Sequence, residues 1–267
     1  MQKKTISLNN KVISYEITGN GKPVILLHGF GEDSSVWQLQ TEFLKNDYCL
    51  ITPDIPGSGA SELNDDVSME GIAEVIKLIA AEEELKDFVL IGHSMGGYAT
   101  LAFVEKYAPM LKAFGLFHSS AYADTEEKKA TRKKGIEFIN SYGTIEFLKT
   151  AIPNLFSELT KESNPALVNN FINQIPEFSK NALTAYYEAM IARPDRTEII
   201  SQTKLPVLFI IGGHDKAVPF EDSLKQSSLP ATSYISILNN SGHMGMLEEA
   251  EKSNQALQNF LAEVFKS

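Results

Sequence analysis

The sequence predicts an α/β protein: a doubly wound, mostly parallel sheet of eight strands carrying a helical insertion. Three observations predict it. Short runs rich in Val, Ile, Leu and Phe alternate with segments of helical period, most of these runs are apolar throughout, and the alternation lapses once, over residues 121–200. Continuously apolar strands are those covered on both faces, which is the mark of a parallel sheet. Alternation of such strands with helices builds βαβ units.

The chain opens with TISL and VISYEIT separated by NNK, which reads as a hairpin. Six apolar runs follow, at 23–29, 48–54, 88–94, 113–119, 206–212 and 232–238. Between and after them, residues 34–45, 68–84, 95–108 and 248–265 repeat apolar positions with a period near 3.6. The helical segment 121–200 falls between two strands of the sheet, so it is expected as a cap over the strands' carboxyl ends, where open α/β sheets bind ligands. Residues 1–120 and 201–267 then form the core domain. Within the cap, helices are expected over 123–143, 143–152, 164–175 and 179–192. Their starts are marked by Asp124 with Glu127 three residues on, by Asn164-Pro165 and by Ser179. The charge run EEKKATRKK (126–134) reads as a solvated helix face.

Composition limits the partners. At 267 residues with 43% hydrophobic content, the chain can bury a large core. A net charge of -10 argues against nucleic acid and anionic membrane. The single cysteine, Cys49, lies in an apolar run and reads as a small buried hydrophobe. The start MQKKTISLNN has no apolar stretch after its lysines, and no run approaches the roughly 18 residues of a membrane span. A cytoplasmic protein is expected, with no signal for its oligomeric state.

The chemistry concentrates at FVLIGHSMGG (88–97), where an apolar strand runs into G-x-S-x-G and a helix follows at once. A sharp strand-to-helix turn would lift the Ser94 hydroxyl above the sheet, and flanking side chains would collide there. A serine needs a base within hydrogen-bond reach. His28 and His93 sit beside glycines in turns and read as structural or pocket-lining. His118 ends a strand and could face the pocket. His243, in a glycine-flanked loop after the last strand, is the expected base. The acid that orients it is expected to be Asp215, after the penultimate strand, with Asp124 as the rival; Asp54 reads as a turn residue. The backbone N–H groups of Phe30 and Met95 are the best oxyanion pair.

Together HGFG (28–31), PDIPGSGAS (53–61), GHSMGG (92–97), GGHDKAVP (212–219) and SGHMGMLEE (241–249) resemble the α/β-hydrolase family of the cap-bearing kind. The resemblance implies a Ser94–Asp215–His243 triad, a Phe30 and Met95 oxyanion hole, and no metal or cofactor. A serine at this position argues against the haloalkane dehalogenase and epoxide hydrolase relatives, which carry aspartate. The expected activity is hydrolysis of a small or medium carboxylic ester through an acyl-enzyme. Thioester, lactone, amide and carbon–carbon bonds stay open, as do a slow-turnover small-molecule sensor, a lyase and a cofactor-free peroxidase of the same fold. Phe30, Trp37 and His118 are expected to contact the substrate, beneath an apolar cap that favours uncharged acyl groups.

Overall fold

A computed structural model describes residues 1–266 of the chain. β1 (Gln2–Leu8) and β2 (Lys11–Thr18) pair antiparallel through a two-residue turn, with Asn9 and Asn10 both at positive φ. Asparagine tolerates that conformation, and the turn's twist matches the flanking strands. β3 (Lys22–Leu27), β4 (Tyr48–Pro53), β5 (Phe88–His93), β6 (Leu111–Phe117), β7 (Val207–Gly212) and β8 (Ser233–Leu238) complete one sheet in the order β1-β2-β4-β3-β5-β6-β7-β8. Every pairing from β4 to β8 is parallel, while β2 joins β4 antiparallel. This is the doubly wound, eight-stranded sheet expected.

Helices α1 (Gln38–Leu44), α2 (Met69–Glu82) and α3 (Met95–Tyr107) follow β3, β4 and β5. The helices α4 (Glu126–Tyr142), α5 (Thr144–Ala151), α6 (Glu158–Ser163), α7 (Pro165–Asn173) and α8 (Lys180–Ala192) lie between β6 and β7, and α9 (Thr197–Gln202) leads back and packs on α3. α10 (Phe220–Ser227), α11 (Gly245–Glu248) and α12 (Ala250–Lys266) finish the chain, with α12 against α1. Val24, Ile25, Leu26, Val89, Leu90 and Ile91 are fully buried, as strands covered on both faces must be. Each fully buried aliphatic side chain contributes roughly 1.5–3 kcal/mol relative to exposure. Among the described residues, no helix is long and apolar enough to cross a membrane.

The helical insertion differs from expectation in two details. Short α6, capped by the Ser157 hydroxyl, separates segments read as α5 and α7. The start of α4 is capped by Thr125, whose Oγ1 accepts from the Lys128 amide at 3.2 Å, and not by Asp124. The Asp124 carboxylate is buried against two arginines instead. Asn164 and Ser179 do cap α7 and α8.

Candidate active site

Register brings the site together. Leu27 pairs with Gly92, His93 with Phe117, and Phe117 with Ile210, so the loops leaving β3, β5, β6 and β7 emerge side by side. Ser94 stands at the end of β5 with φ of 50°, a strained conformation for a residue with a side chain. The Ser94 amide donates to Phe117 O at 3.0 Å, and its carbonyl accepts from the Ser119 hydroxyl at 2.7 Å. The turn closes only because of its glycines. A Cβ on Gly92 would overlap the Gly96 carbonyl, and one on Gly96 would lie 2.5 Å from His28 O. Gly96 thus lets the first turn of α3 dock on the loop after β3. That loop carries Phe30, and among the described residues neither the Phe30 nor the Met95 amide has an acceptor. Free amides at a helix start beside a nucleophile are suited to a developing oxyanion.

Asp215 and His243 are buried together. His243 Nδ1 lies 2.8 Å from Asp215 Oδ2, while Asp215 Oδ1 accepts from the amides of Ala217 (2.8 Å) and Val218 (2.9 Å). Burial pushes the Asp215 carboxyl up, but the charge of His243 and the contacts with His118 and His243 outweigh it and hold it well below the usual carboxylate range. An ionised carboxylate only accepts, so Nδ1 carries the proton and Nε2 is left for a reacting group.

His118 belongs to this cluster and does not line the cavity, contrary to its expected role as a substrate contact. Its Nε2 accepts from the Gly245 amide at 3.2 Å, which places the ring proton on Nδ1, 3.3 Å from Asp215 Oδ2. That approach is close but off the hydrogen-bond line, and Nδ1 has no better acceptor. Burial lowers the His118 pKa to about 4, so the ring is neutral at pH 7. His118, Asp215 and His243 are also the one buried trio with metal-ligand spacing among the described residues. The 2.8 Å separation of His243 from Asp215 is a hydrogen bond's. Two ligands on one zinc ion, at about 2.0–2.1 Å each, would stand farther apart.

A second buried pair was not foreseen. His93 Nδ1 lies 3.0 Å from Glu32 Oε2, and its Nε2 lies 2.9 Å from the His243 carbonyl. Burial disfavours both charges. Their mutual attraction nevertheless lowers the Glu32 pKa and raises that of His93, leaving carboxylate and imidazolium. Glu32 Oε2 also accepts from the Gly29 amide at 2.7 Å. The pair therefore ties the loop of Phe30 to the backbone of His243. The only signal in the sequence was an acid placed directly after HGFG. His28 is structural: Nε2 accepts from the Ile55 amide (2.9 Å) and Nδ1 donates to Gly29 O (2.8 Å). Asp54 shapes its turn by accepting from the amides of Ser34 and Ala60.

Ser94 and His243 open on one cavity of about 180 Å³ beneath the inserted helices. Phe30, Leu148, Ile152, Leu155 and Val218 give it apolar walls. Trp37 is not among them. It closes the 3-10 turn before α1 and is fully buried in the core, edge-on to Phe117 at 5.3 Å and to His93 at 6.4 Å, and these rings occupy it in place of the cavity. Arg132 does line the cavity, although its charge run was read as a solvated face. Tyr187 from α8 stacks on Phe30 at 4.4 Å and stands beneath the Arg132 guanidinium.

The sequence profile of the alpha/beta hydrolase family matches residues 24–256. The chain belongs to the alpha/beta hydrolase family. A 2-hydroxy-6-oxononadienedioate/2-hydroxy-6-oxononatrienedioate hydrolase of Escherichia coli K12 is 27% identical, over 94% of this chain and 91% of that protein. A thermophilic esterase from Thermogutta terrifontis, in a structure with malate bound, superposes with a TM-score of 0.92 at 28% identity over 99% of both chains. The enol-lactonase of Burkholderia xenovorans, 20% identical with a TM-score of 0.88 over 97% of this chain and 100% of its own, shares the fold of this alpha/beta hydrolase.

Proposed function

We propose that this alpha/beta hydrolase is a serine hydrolase that cleaves a small or medium carboxylic ester through an acyl-enzyme. One observation carries the reading: Ser94, held at φ of 50° on a strand-to-helix turn, faces the same cavity as His243, whose Nδ1 is fixed 2.8 Å from Asp215. Ser94 Oγ attacks the carbonyl carbon as His243 Nε2 takes its proton. Charge collects on the carbonyl oxygen, where the Phe30 and Met95 amides stabilise it. His243 returns the proton to the leaving alcohol. Water, deprotonated by the same nitrogen, then releases the acid and restores Ser94. Asp215 stays ionised throughout and stabilises the imidazolium. No metal or cofactor takes part, and the substrate is a small molecule, bound without nucleic acid or membrane.

The esterase from Thermogutta terrifontis supports an ester as the bond cleaved. The Escherichia coli dioate hydrolase supports cleavage of an acyl–carbon bond as the second reading, since an acyl-enzyme serves both. A cytoplasmic location accords with the acidic composition.

Initial rates on p-nitrophenyl esters from acetyl to decanoyl test the proposal, together with mass spectrometry after a small organophosphonate. Many turnovers per molecule are expected, with the phosphonate on the Ser94 peptide and neither in Ser94→Ala. A single slow turnover with retained product would mean a sensor instead. Undiminished hydrolysis by Ser94→Ala would remove the serine mechanism.

A further inference from the structure

Arg132 departs from the rest of its charge run. Its neighbours Thr131, Lys133 and Lys134 are exposed, whereas the Arg132 side chain is 19% exposed and lines the cavity that holds Ser94 and His243. Its orientation is fixed from two sides. Nε lies 2.5 Å and Nη2 3.3 Å from the two oxygens of Asp124, and the ring of Tyr187 lies 5.6 Å from its Cζ. Among the described residues, the remaining nitrogen, Nη1, has no acceptor.

Asp124 is one anion facing two guanidiniums, because Arg193 Nη1 also lies 2.9 Å from Asp124 Oδ1. Arg193 has other partners: it donates to Met190 O and Tyr122 O and stacks on Tyr98 at 3.8 Å. Arg193 also helps to hold the Asp195 carboxyl low, so the guanidinium left with a shared anion and an unused donor is Arg132. Glu32, the one carboxylate among the residues lining the cavity, is already held by His93 and the Gly29 amide. In a chain of net charge -10, an anion entering this cavity needs such a local cation.

We propose that Arg132 binds a carboxylate carried by the substrate, so that the preferred ester bears one free acid group beyond an apolar stretch. The inference builds on the reading of the site as an ester hydrolase and names its substrate class. It also reverses the expectation of an uncharged acyl group. The carboxylate can sit on either side of the scissile bond: on the acyl chain, as in a half-ester of a dicarboxylic acid, or on the alcohol, as in an ester of a hydroxy acid. Leu148, Ile152 and Leu155 would cover the methylenes between. A charge-assisted hydrogen bond in a partly desolvated cavity is among the stronger single contacts available to a ligand.

The first test compares esters on wild-type protein and on Arg132→Gln. Monomethyl glutarate and monomethyl adipate are compared with methyl valerate and methyl hexanoate for the acyl side. For the alcohol side, 3-acetoxypropionate is compared with propyl acetate. In one of the two arms, kcat/KM for the anionic ester is expected to exceed that for its neutral partner by about 10–100-fold, and Arg132→Gln should shrink that ratio at least fivefold. Ratios below fivefold in both arms would overturn the assignment and leave the ester reading intact. A structural ion pair that only holds α4 to Asp124 predicts that result.

Inhibition separates the two readings further. Glutarate should compete with a neutral p-nitrophenyl ester more tightly than glutaramide, by tenfold or more, and Arg132→Gln should remove the difference. Should no ester be turned over, the same comparison by calorimetry with wild type and Arg132→Gln tests Arg132 alone. Equal binding of the acid and the amide would then overturn it.

Discussion

His118 Nδ1 lies 3.3 Å from Asp215 Oδ2, the same oxygen that holds His243 Nδ1 at 2.8 Å. The acid is thereby gripped between two imidazoles, of which only His243 reaches the cavity. On the proposed mechanism His118, itself at φ of 47°, is expected to act as a positioning residue. His118→Asn keeps a residue that tolerates this backbone but removes the ring. We expect kcat to fall about tenfold with KM nearly unchanged, since the lost contact orients His243 without touching substrate. A loss confined to KM would place His118 against the substrate after all.

The same residue gives a pH signature. The folded pKa of His118 is about 4, below the ordinary 6.5, so between these values the unfolded chain binds the proton that the folded chain refuses. Stability is therefore complete above pH 6.5 and declines as pH falls toward 4. At 1.36 kcal/mol per unit, the decline from this group is at most about 3 kcal/mol. Urea denaturation at pH 7 and pH 4.5 should show a smaller loss for His118→Asn than for wild type. Identical losses would mean that His118 does not titrate in that window.

Asp215 and Asp124 should separate activity from stability. Asp215→Asn is expected to lower kcat by about 10⁴ through the wrong imidazole tautomer, the size typical of losing the acid from a Ser-His-Asp triad. Asp124→Asn instead strips the partner from two arginines and should destabilise by about 3–5 kcal/mol, with little loss of kcat per folded molecule on a neutral ester. Thermal melts and kcat on the two variants check this, and the reverse ranking would make Asp124 the acid.

Most of the fold, and the meeting of Ser94, His243 and Asp215 at one cavity, is legible because its signals are local. An apolar strand ending in GHSMGG has one sharp way to turn, and Asn164-Pro165 caps its helix whatever lies across from it. The misreadings depend on distant partners. Arg132 turns inward because Asp124 and Tyr187, from outside its own helix, receive it. Asp124 fails as a cap for the same reason, leaving Thr125 to serve. Trp37 looked like a pocket wall because bulky aromatics suit one, yet Phe117 on β6 draws it into the core. Nothing local marks Glu32 as the partner of His93, 61 residues away.

That hidden pair is testable. Glu32→Gln leaves the His93 imidazolium buried without its counter-charge and loosens the Gly29 amide beside Phe30. We expect a destabilisation of about 3–5 kcal/mol and a drop in kcat at a temperature where the variant is still folded. A lower melting point with unchanged kcat would confine the pair to stability.

Apolar side chains of the inserted helices should tune chain length. Leu148→Ala and Ile152→Ala enlarge the cavity wall, so kcat/KM should shift toward longer acyl groups by about 1–3 kcal/mol per methylene accommodated. Profiles that superpose on wild type would assign selectivity to the core side of the cavity.

The His243 amide donates to Leu155 O at 2.6 Å, and the Glu248 carboxylate accepts from Ser157, Thr160, Gly242 and Met244. Two stretches from different parts of the chain are thus stitched into a single seam. Its consequence is evolutionary as much as mechanical. Exchanging the helical insertion for a foreign one would unpick the loop that carries the imidazole, so substitution within residues 144–155 is expected to disturb the site less than wholesale exchange of the helices. A transplanted insertion would have to bring a carbonyl to the place of Leu155 O to hold the His243 amide as it is held here.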